Sequence, residues 1–461
     1  MQIVLVNPYE LGRQPFGLAQ PTAWLRRAGF DVACIDLSLQ QLDKRLLASA
    51  RLVAIYLPMH TATRIAVAAL PRIRAHAPAA HLCVYGLYAA ANDTLFRTLG
   101  VNSVLGGESE PDLVELAQSL RAGKPSDAPY PIVRRDKIPF LVPERSALPP
   151  LSRYAHLRLV GGERKMVGFT ETTRGCKHWC RHCPVVPVYQ GRFRVVPVPV
   201  VLADVANQVT AGAQHISFGD PDFFNGPTHG LRVVQTMHEA FPQLTYDVTI
   251  KIQHIVNHAS LLARLRDTGC LFIISAVESV EDRSLTILEK GHTTADFCRA
   301  VRLTREAGVG LAPTFVPFTP WTTLAGYVAL LRCLVDLQLV ASVPPVQLAI
   351  RLLVPQGSQL LELPEVRTLL GDFDAGSLGY AWQHTDRQVD ELQATIQELV
   401  ENASRIEQSR YATFAQIWAA AHQALGQPAP NLPQDLGGES AQLSEPWYCC
   451  AEPTTAQLAA F

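Results

Sequence analysis

Three cysteines stand close together in TRGCKHWCRHCP, as Cys176, Cys180 and Cys183, in a C-x3-C-x2-C spacing. Three thiols this near cannot pair in disulfides without strain and an orphan, but together they can cap one face of a metal cluster. Arg174, Lys177 and Arg181 flank them, and cationic neighbours favour the thiolate and offset cluster charge. Three thiolates leave one iron of a [4Fe-4S] cluster without a protein ligand, and an open iron is a place for substrate chemistry. Zinc is the alternative; it wants four N/S ligands, with His178 or His182 as the fourth. A second pair, Cys449-Cys450, lies in WYCCAEP behind a Pro-rich stretch. Adjacent thiols form only a strained disulfide, but they grip a soft, thiophilic centre at close range. A redox relay or a structural cysteine pair are the other readings of the same two residues.

These thiols need elements to place them. Residues 1 to about 120 alternate short apolar runs (IVLV, VACID, LVAIYL, HLCVYG, SVLGG) with segments of helical spacing such as PTAWLRRAG and TRIAVAALPRIRAH. That alternation predicts a doubly wound parallel sheet, whose ligands sit at the carboxyl ends of the strands. Asn7-Pro8-Tyr9, Pro58-Met59-His60 and Gly86-Leu87-Tyr88 are then expected to face a cleft. A stretch rich in Pro and polar residues follows, and it reads as a linker. From Val167 a second alternation begins, with VGFTET, HISFGD, YDVTIKI, LFIISAVE, GLAPTFV and VQLAIRLLV as strands. Six strands in βα order predict a partial or full parallel barrel. The expected division is a Rossmann-like domain over 1–125, a linker over 126–165 and a barrel over 166–365. A helical region over 366–425 and a flexible tail over 426–461 complete it.

Composition excludes several function classes. The chain has 461 residues, 48% of them hydrophobic, enough for packed cores, so general disorder is excluded. Lys and Arg number 40 against 41 Asp and Glu, which argues against nucleic-acid or polybasic membrane binding. No window supplies the roughly 20 apolar residues of a membrane span. MQIVLVNPYE lacks a basic region ahead of its apolar run and does not read as a signal peptide. A reducing cytoplasm is the expected compartment, where clustered cysteines serve metal or redox chemistry more often than disulfides.

The C-x3-C-x2-C motif after the first strand of a βα barrel resembles the radical S-adenosylmethionine (SAM) superfamily. The resemblance implies that Cys176, Cys180 and Cys183 hold a [4Fe-4S] cluster that cleaves a sulfonium C–S bond of SAM. ISFGDPDFFNG is similar to the family's second-strand motif, which implies that Gly219, Asp220 and Pro221 meet the SAM amino group. LFIISAVESVEDRSLTILEKGHT resembles the segment whose Glu278 would contact the SAM ribose or carboxylate. Lys251 and Arg351 are candidate partners for a carboxylate. His182, where the family has an aromatic residue, is expected to stack near adenine. An electron donor such as flavodoxin or ferredoxin is implied as partner.

PFGLAQPTAWLRRAGFDVACIDLS is similar to the N-terminal pattern of a subgroup with a cobalamin-binding-like domain. The D-x-H-x-x-G cobalt-ligand motif is absent, so cobalamin is a candidate cofactor without a protein histidine ligand. The CCAEP ending, with PTFVPFTPWTT and RLLVPQGSQLL, resembles the CUAEP/CCAEP-tail radical SAM family, and within it the enzymes of arsinothricin-type biosynthesis. That resemblance implies transfer of the 3-amino-3-carboxypropyl group of SAM to As(III), with arsenite as small-molecule substrate held by Cys449 and Cys450. Two alternatives stand beside it. One is a cobalamin-dependent methylation or other 5′-deoxyadenosyl-radical reaction on an organic substrate; the other is a non-catalytic metal or metalloid module. Cys34, Cys83, Cys270, Cys298 and Cys333 read as core residues, and Trp321 as a pocket or core residue.

Overall fold

The computed structural model describes residues 1–124, 133–438 and 440–445. The first sheet contains β1 (Gln2–Asn7), β2 (Asp31–Asp36), β3 (Leu52–Tyr56), β4 (His81–Tyr85), β5 (Ser103–Gly107) and β6 (Val133–Arg134). They run in the order β2-β1-β3-β4-β5-β6, every pair parallel. The apolar runs form central strands because both of their faces are covered. Val4, Val6, Val53 and Ile55 enter one core, while Ile3, Leu5, Leu52 and Ala54 enter another on the opposite face. The direction of winding reverses beside β1, which opens a crevice at the carboxyl ends of β1 and β3.

The second sheet is built from β7 (His156–Arg158), β8 (Arg164–Thr170), β11 (His215–Phe218), β12 (Thr245–Thr249), β13 (Cys270–Glu278), β14 (Gly310–Phe315) and β17 (Gln442–Leu443). Its order is β14-β13-β12-β11-β8-β7-β17; β8 and β11 to β14 are parallel, and at one edge β7 runs antiparallel to both of its neighbours, β8 and β17. Between β8 and β11 a short ribbon, β9 (Thr173–Gly175) with β10 (Phe193–Val195), frames the cysteine loop. Helices cover the outer face in the largest core, and Leu157, Val167, Phe272 and Ile274 line the inner one. The expected fold class, a doubly wound parallel sheet followed by a partial βα barrel, is observed.

One expected barrel strand is not formed. Residues 346–354 begin instead as a 3-10 turn, Pro345–Leu348, and rejoin the barrel only through an isolated bridge between Phe318 and Arg351. Pro344 and Pro345 are the reason: neither has an N–H for a ladder, and both fix φ.

Residues 133–165 are tightly engaged. Arg145 bonds both carboxylate oxygens of buried Asp204 (2.8 and 2.9 Å), the Phe169 carbonyl and Gln14 Oε1, and so clasps the first domain to the barrel. Farther on, the hairpin β15 (Leu370–Asp374) and β16 (Gly379–Trp382) precedes two helices, Arg387–Arg405 and Arg410–Ala424. The chain then returns through β17, and Glu445 accepts a hydrogen bond from Tyr9 Oη at 2.5 Å. Among the described residues no helix is long and apolar enough to cross a membrane.

Candidate active site

The cysteine loop hangs between the end of β9 and the helix Val185–Tyr189. Cys180 is buried; Cys176 and Cys183 are half-buried. A turn closes Cys183 N–H on the Cys180 carbonyl (3.0 Å), and Arg181 N–H donates to the Leu288 carbonyl. On the other side, Lys177 N–H donates to Asn225 Oδ1 (3.3 Å), which also lies 3.8 Å from Cys176 Sγ. Among the described residues the three sulfurs do not all lie within 4.8 Å of one another. Ligands of a tetrahedral zinc would sit about 3.8 Å apart, given Zn–S bonds near 2.3 Å. The donor set is wide for one zinc ion and suits a multi-iron cluster.

The cations beside the sulfurs are not the ones the sequence suggests. Arg174 turns away to a buried acidic group, 2.9 Å from Glu108, 2.7 Å from Glu110 and 2.9 Å from Glu171. Arg181 pairs with Glu289 and the carbonyls of Thr286 and Ile287. Lys177 Nζ is spent on the carbonyls of Phe224 and Asn225. The ammonium in contact is that of buried Lys251, which donates to Cys180 Sγ at 3.4 Å. It stands immediately before the helix Ile252–Asn257, in extended backbone conformation. Burial, not cationic flanks, governs the free thiols: it pushes Cys176 up to about 11 and Cys183 up as well. Iron must therefore displace protons from this loop when it binds.

Asp220 lies fully inside, accepting from Thr172 N–H (2.9 Å), Thr172 Oγ1 (2.7 Å) and Thr173 Oγ1 (2.6 Å). These bonds tie the end of β11 to the strand leading into the cysteine loop. Gly219 donates to the Thr170 carbonyl, and a Cβ there would lie 2.2 Å from Phe169 Cζ, so only glycine fits. Pro221 and Gly219 line a cavity at the domain boundary.

Glu278 ends β13 with φ +69°, an uncommon conformation for a residue with a side chain. Its Oε1 lies 3.1 Å from both His182 Nε2 and Lys290 Nζ. Burial opposes its charge, but Lys290 and His182 outweigh burial and hold the carboxyl at about 2. His182, expected over adenine, is thus fixed by this carboxylate. Arg351, expected at a carboxylate of SAM or substrate, lies elsewhere. It pairs with Asp390 at 2.6 Å, bonds the Trp382 carbonyl and stacks on the Trp382 ring. Trp321 donates its indole N–H to Ser284 Oγ and packs beside Leu288 and Val354. Cys449 and Cys450 lie outside the described residues.

Sequence reasoning missed Lys290, Asn225, Asp222 and Glu171. Lys290 carries no local signal, since only the turn after the helix Asp282–Ile287 brings it back to Glu278. Asp222 sits two residues beyond Asp220 in a quoted motif, and its two histidine partners come from distant segments.

Two cavities flank the helix Val185–Tyr189. One, about 210 Å³, lies between Gly17, Tyr56 and Gly86 of the first domain and Glu171, Arg174 and Gly219 of the barrel. The other, about 260 Å³, is lined by Tyr88 on one side and by His182 and Cys183 on the other. Both are smaller than the roughly 300–1,000 Å³ of pockets for drug-sized ligands. A third cavity, about 450 Å³, lies at the carboxyl ends of β1 and β2, lined by Tyr9, Leu37 and Tyr154. Tyr56 and Tyr85 pack ring to ring at 5.3 Å across the strand ends, and Arg174, Glu110 and Glu171 line the first cavity. Burial pushes Glu171 up to about 7 there, against the pull of Arg174.

Residues 170–320 match the Radical SAM superfamily and form its domain in this chain. Over 217 residues the chain is 24% identical to the tRNA-2-methylthio-N(6)-dimethylallyladenosine synthase of Haemophilus influenzae (strain PittEE), covering 44% of this chain and 41% of that one. The enzyme of the same name from Actinobacillus succinogenes is 25% identical over 221 residues, covering 45% and 42%. The chain thus spans about two fifths of these curated relatives. Among solved structures, the radical SAM methyltransferase TsrM from Kitasatospora setae, with tryptophan and a SAM analogue, superposes with a TM-score of 0.61 at 20% identity, covering 79% of this chain and 76% of that one. OxsB, a cobalamin-dependent SAM radical enzyme with aqua-cobalamin and SAM, gives 0.67 at 16% identity, covering 87% and 67%. These two likenesses are of fold. The domain implies a [4Fe-4S] cluster and SAM.

Proposed function

We propose that this radical SAM domain, through Cys176, Cys180 and Cys183, serves a SAM-cleaving enzyme that moves the 3-amino-3-carboxypropyl group to trivalent arsenic. The observation that carries the cleavage reading is the donor set: three thiols on one loop, wider than a zinc site, with the Lys251 ammonium 3.4 Å from Cys180. When bound, the cluster supplies one electron at a time to a sulfonium. The chain's own residues hold and insulate that site. Lys251 offsets negative charge on the sulfurs, and Asp220 locks β11 to the entry of the loop through Thr172 and Thr173. Gly219 and Pro221 line the cavity at the strand end that would take the methionyl part of SAM. Glu278, ionised and held by Lys290 and His182, is the acceptor for a ribose hydroxyl or the SAM amino group.

The arsenic reading rests on the CCAEP ending. A vicinal dithiol at Cys449 and Cys450 grips As(III), whose lone pair accepts a carbon radical. One electron breaks the Cγ–S bond and methylthioadenosine departs. The As–C bond then forms, and the adduct returns one electron, so the sum consumes none. The last described residue, Glu445, is anchored to Tyr9 at the first domain. Five further residues reach at most about 17 Å from it.

The second reading, a 5′-deoxyadenosyl-radical reaction on an organic substrate, is favoured by the likeness in fold to TsrM and OxsB. Incubation with SAM, a reductant and arsenite, followed by mass spectrometry, separates the two. Methylthioadenosine with an arsenic–carbon product supports the first; 5′-deoxyadenosine without arsenic incorporation overturns it. Replacing both Cys449 and Cys450 with Ser is expected to abolish arsenite-dependent turnover and leave the cluster absorbance intact.

A further inference from the structure

Behind the cysteine loop lies a group that SAM chemistry does not use. His178 comes from the loop itself, Asp222 from the turn after β11, and His254 from the helix Ile252–Asn257. Their ligand-type atoms all lie within 4.8 Å of one another, and among the described residues no other group of three His, Cys, Asp or Glu does so. Asp222 is wholly buried and His254 nearly so. His178 Nε2 stands 2.9 Å from Asp222 Oδ2, and His254 Nδ1 stands 2.6 Å from the same oxygen. Both imidazoles therefore converge on one oxygen of a buried carboxylate.

A carboxylate oxygen has lone pairs for both imidazoles, but gathering two imidazoles and a buried carboxylate within 4.8 Å has a further use. It is the natural arrangement around a cation. Ligands on a divalent ion with bonds of about 2.0–2.2 Å sit roughly 3.0–3.5 Å apart. A shift of a few tenths of an ångström opens this group to that size. The second oxygen of Asp222 is already oriented, accepting Phe224 N–H at 3.1 Å, as ligating carboxylates are in metal sites. Lys177, the nearest loop ammonium, is engaged by the carbonyls of Phe224 and Asn225.

We propose that His178, Asp222 and His254 form a second metal site, separate from the cysteine cluster, that takes one first-row divalent ion, Zn²⁺ or Fe²⁺. Two imidazoles and a carboxylate are the donor set that suits these ions, with positions left for water. The ion ties the loop between Cys176 and Cys180 to the helix that follows Lys251. It thereby joins the two segments that meet at Cys180.

The test is metal and sulfide content of the anaerobically reconstituted full chain, after desalting. About one zinc or iron per chain is expected beyond the iron that balances acid-labile sulfide. Zinc and iron are counted separately, which distinguishes the two ions. His254→Gln, which leaves all three cysteines in place, is expected to lose the extra ion and keep iron, sulfide and cluster absorbance. Asp222→Asn is expected to lose the same ion. A triple Cys176→Ala, Cys180→Ala, Cys183→Ala variant is expected to lose the cluster and still retain about one Zn²⁺ when titrated against a chromophoric chelator. Wild-type metal equal to the cluster iron alone overturns the proposal. So does an extra ion that survives in His254→Gln, or one that disappears only with the cysteines. None of these counts depends on which bond of SAM is cleaved.

Discussion

Glu278→Gln removes one charge from a buried ion pair and leaves the shape almost unchanged. The carboxylate meets Lys290 and His182 at 3.1 Å each, and Lys290 is only 3% exposed, so its ammonium has no water to turn to. Breaking a buried pair by neutralising one partner costs about 3–5 kcal/mol, because the remaining charge stays buried and uncompensated. Adding Lys290→Met removes that stranded charge, and the double variant is expected to regain most of the loss. The assay is a denaturant-unfolding double-mutant cycle on anaerobic protein, with SAM affinity measured by equilibrium dialysis on the same four proteins. Stability is expected to fall and then recover, while SAM affinity falls in Glu278→Gln and stays low in the double variant. The pH sign follows from a folded carboxyl held at about 2 against an ordinary 4.5. Its stabilising contribution is full above pH 4.5 and lost as pH falls toward 2, and Glu278→Gln should remove that part of the acid dependence. A Glu278→Gln protein within about 0.5 kcal/mol of wild type would refute the buried-pair reasoning. SAM affinity restored together with stability would refute the assignment of Glu278 to SAM.

Gly219→Ala drives a methyl group to 2.2 Å from Phe169, whose ring is held between Phe16 and Arg13. The expected cost is about 1–3 kcal/mol, read from the unfolding midpoint, with Phe169→Leu in the same chain relieving it. Lys251→Met removes the ammonium 3.4 Å from Cys180. Potentiometric EPR should then show the cluster harder to reduce, because added electron density loses its nearest counter-charge. Arg145→Met strands buried Asp204 at the domain boundary. A loss of about 3 kcal/mol is expected, with faster proteolysis between the first sheet and the barrel; an unchanged cleavage pattern would show that the clasp does not join the domains.

Much of the fold was legible in the residues because buried parallel strands are written as uninterrupted apolar runs. IVLV, LVAIYL and HISF each became a strand whose neighbours lie where the alternation predicts. The exception, VQLAIRLLV, is equally apolar. Its flanking prolines carry the veto, and periodicity alone does not weigh them. The cysteine loop was legible because all three thiols lie within eight residues of sequence.

What surrounds the sulfurs was not. Arg174, Lys177 and Arg181 are neighbours in sequence, yet each side chain finds a nearer oxygen partner in the folded chain. Lys251 and Lys290 reach the site across 71 and more than 100 residues. The pairing of Glu278 with Lys290, and of Asp222 with two histidines, follows from strand order and from burial, which makes every unpaired charge costly and so selects partners in space. By itself the sequence determined which atoms can bind iron and which segments become strands, since both depend on local type and spacing. Which charges face those atoms, and where a second ion can sit, were decided only when the two sheets met. Distance through space, not along the chain, sets electrostatic and steric energy.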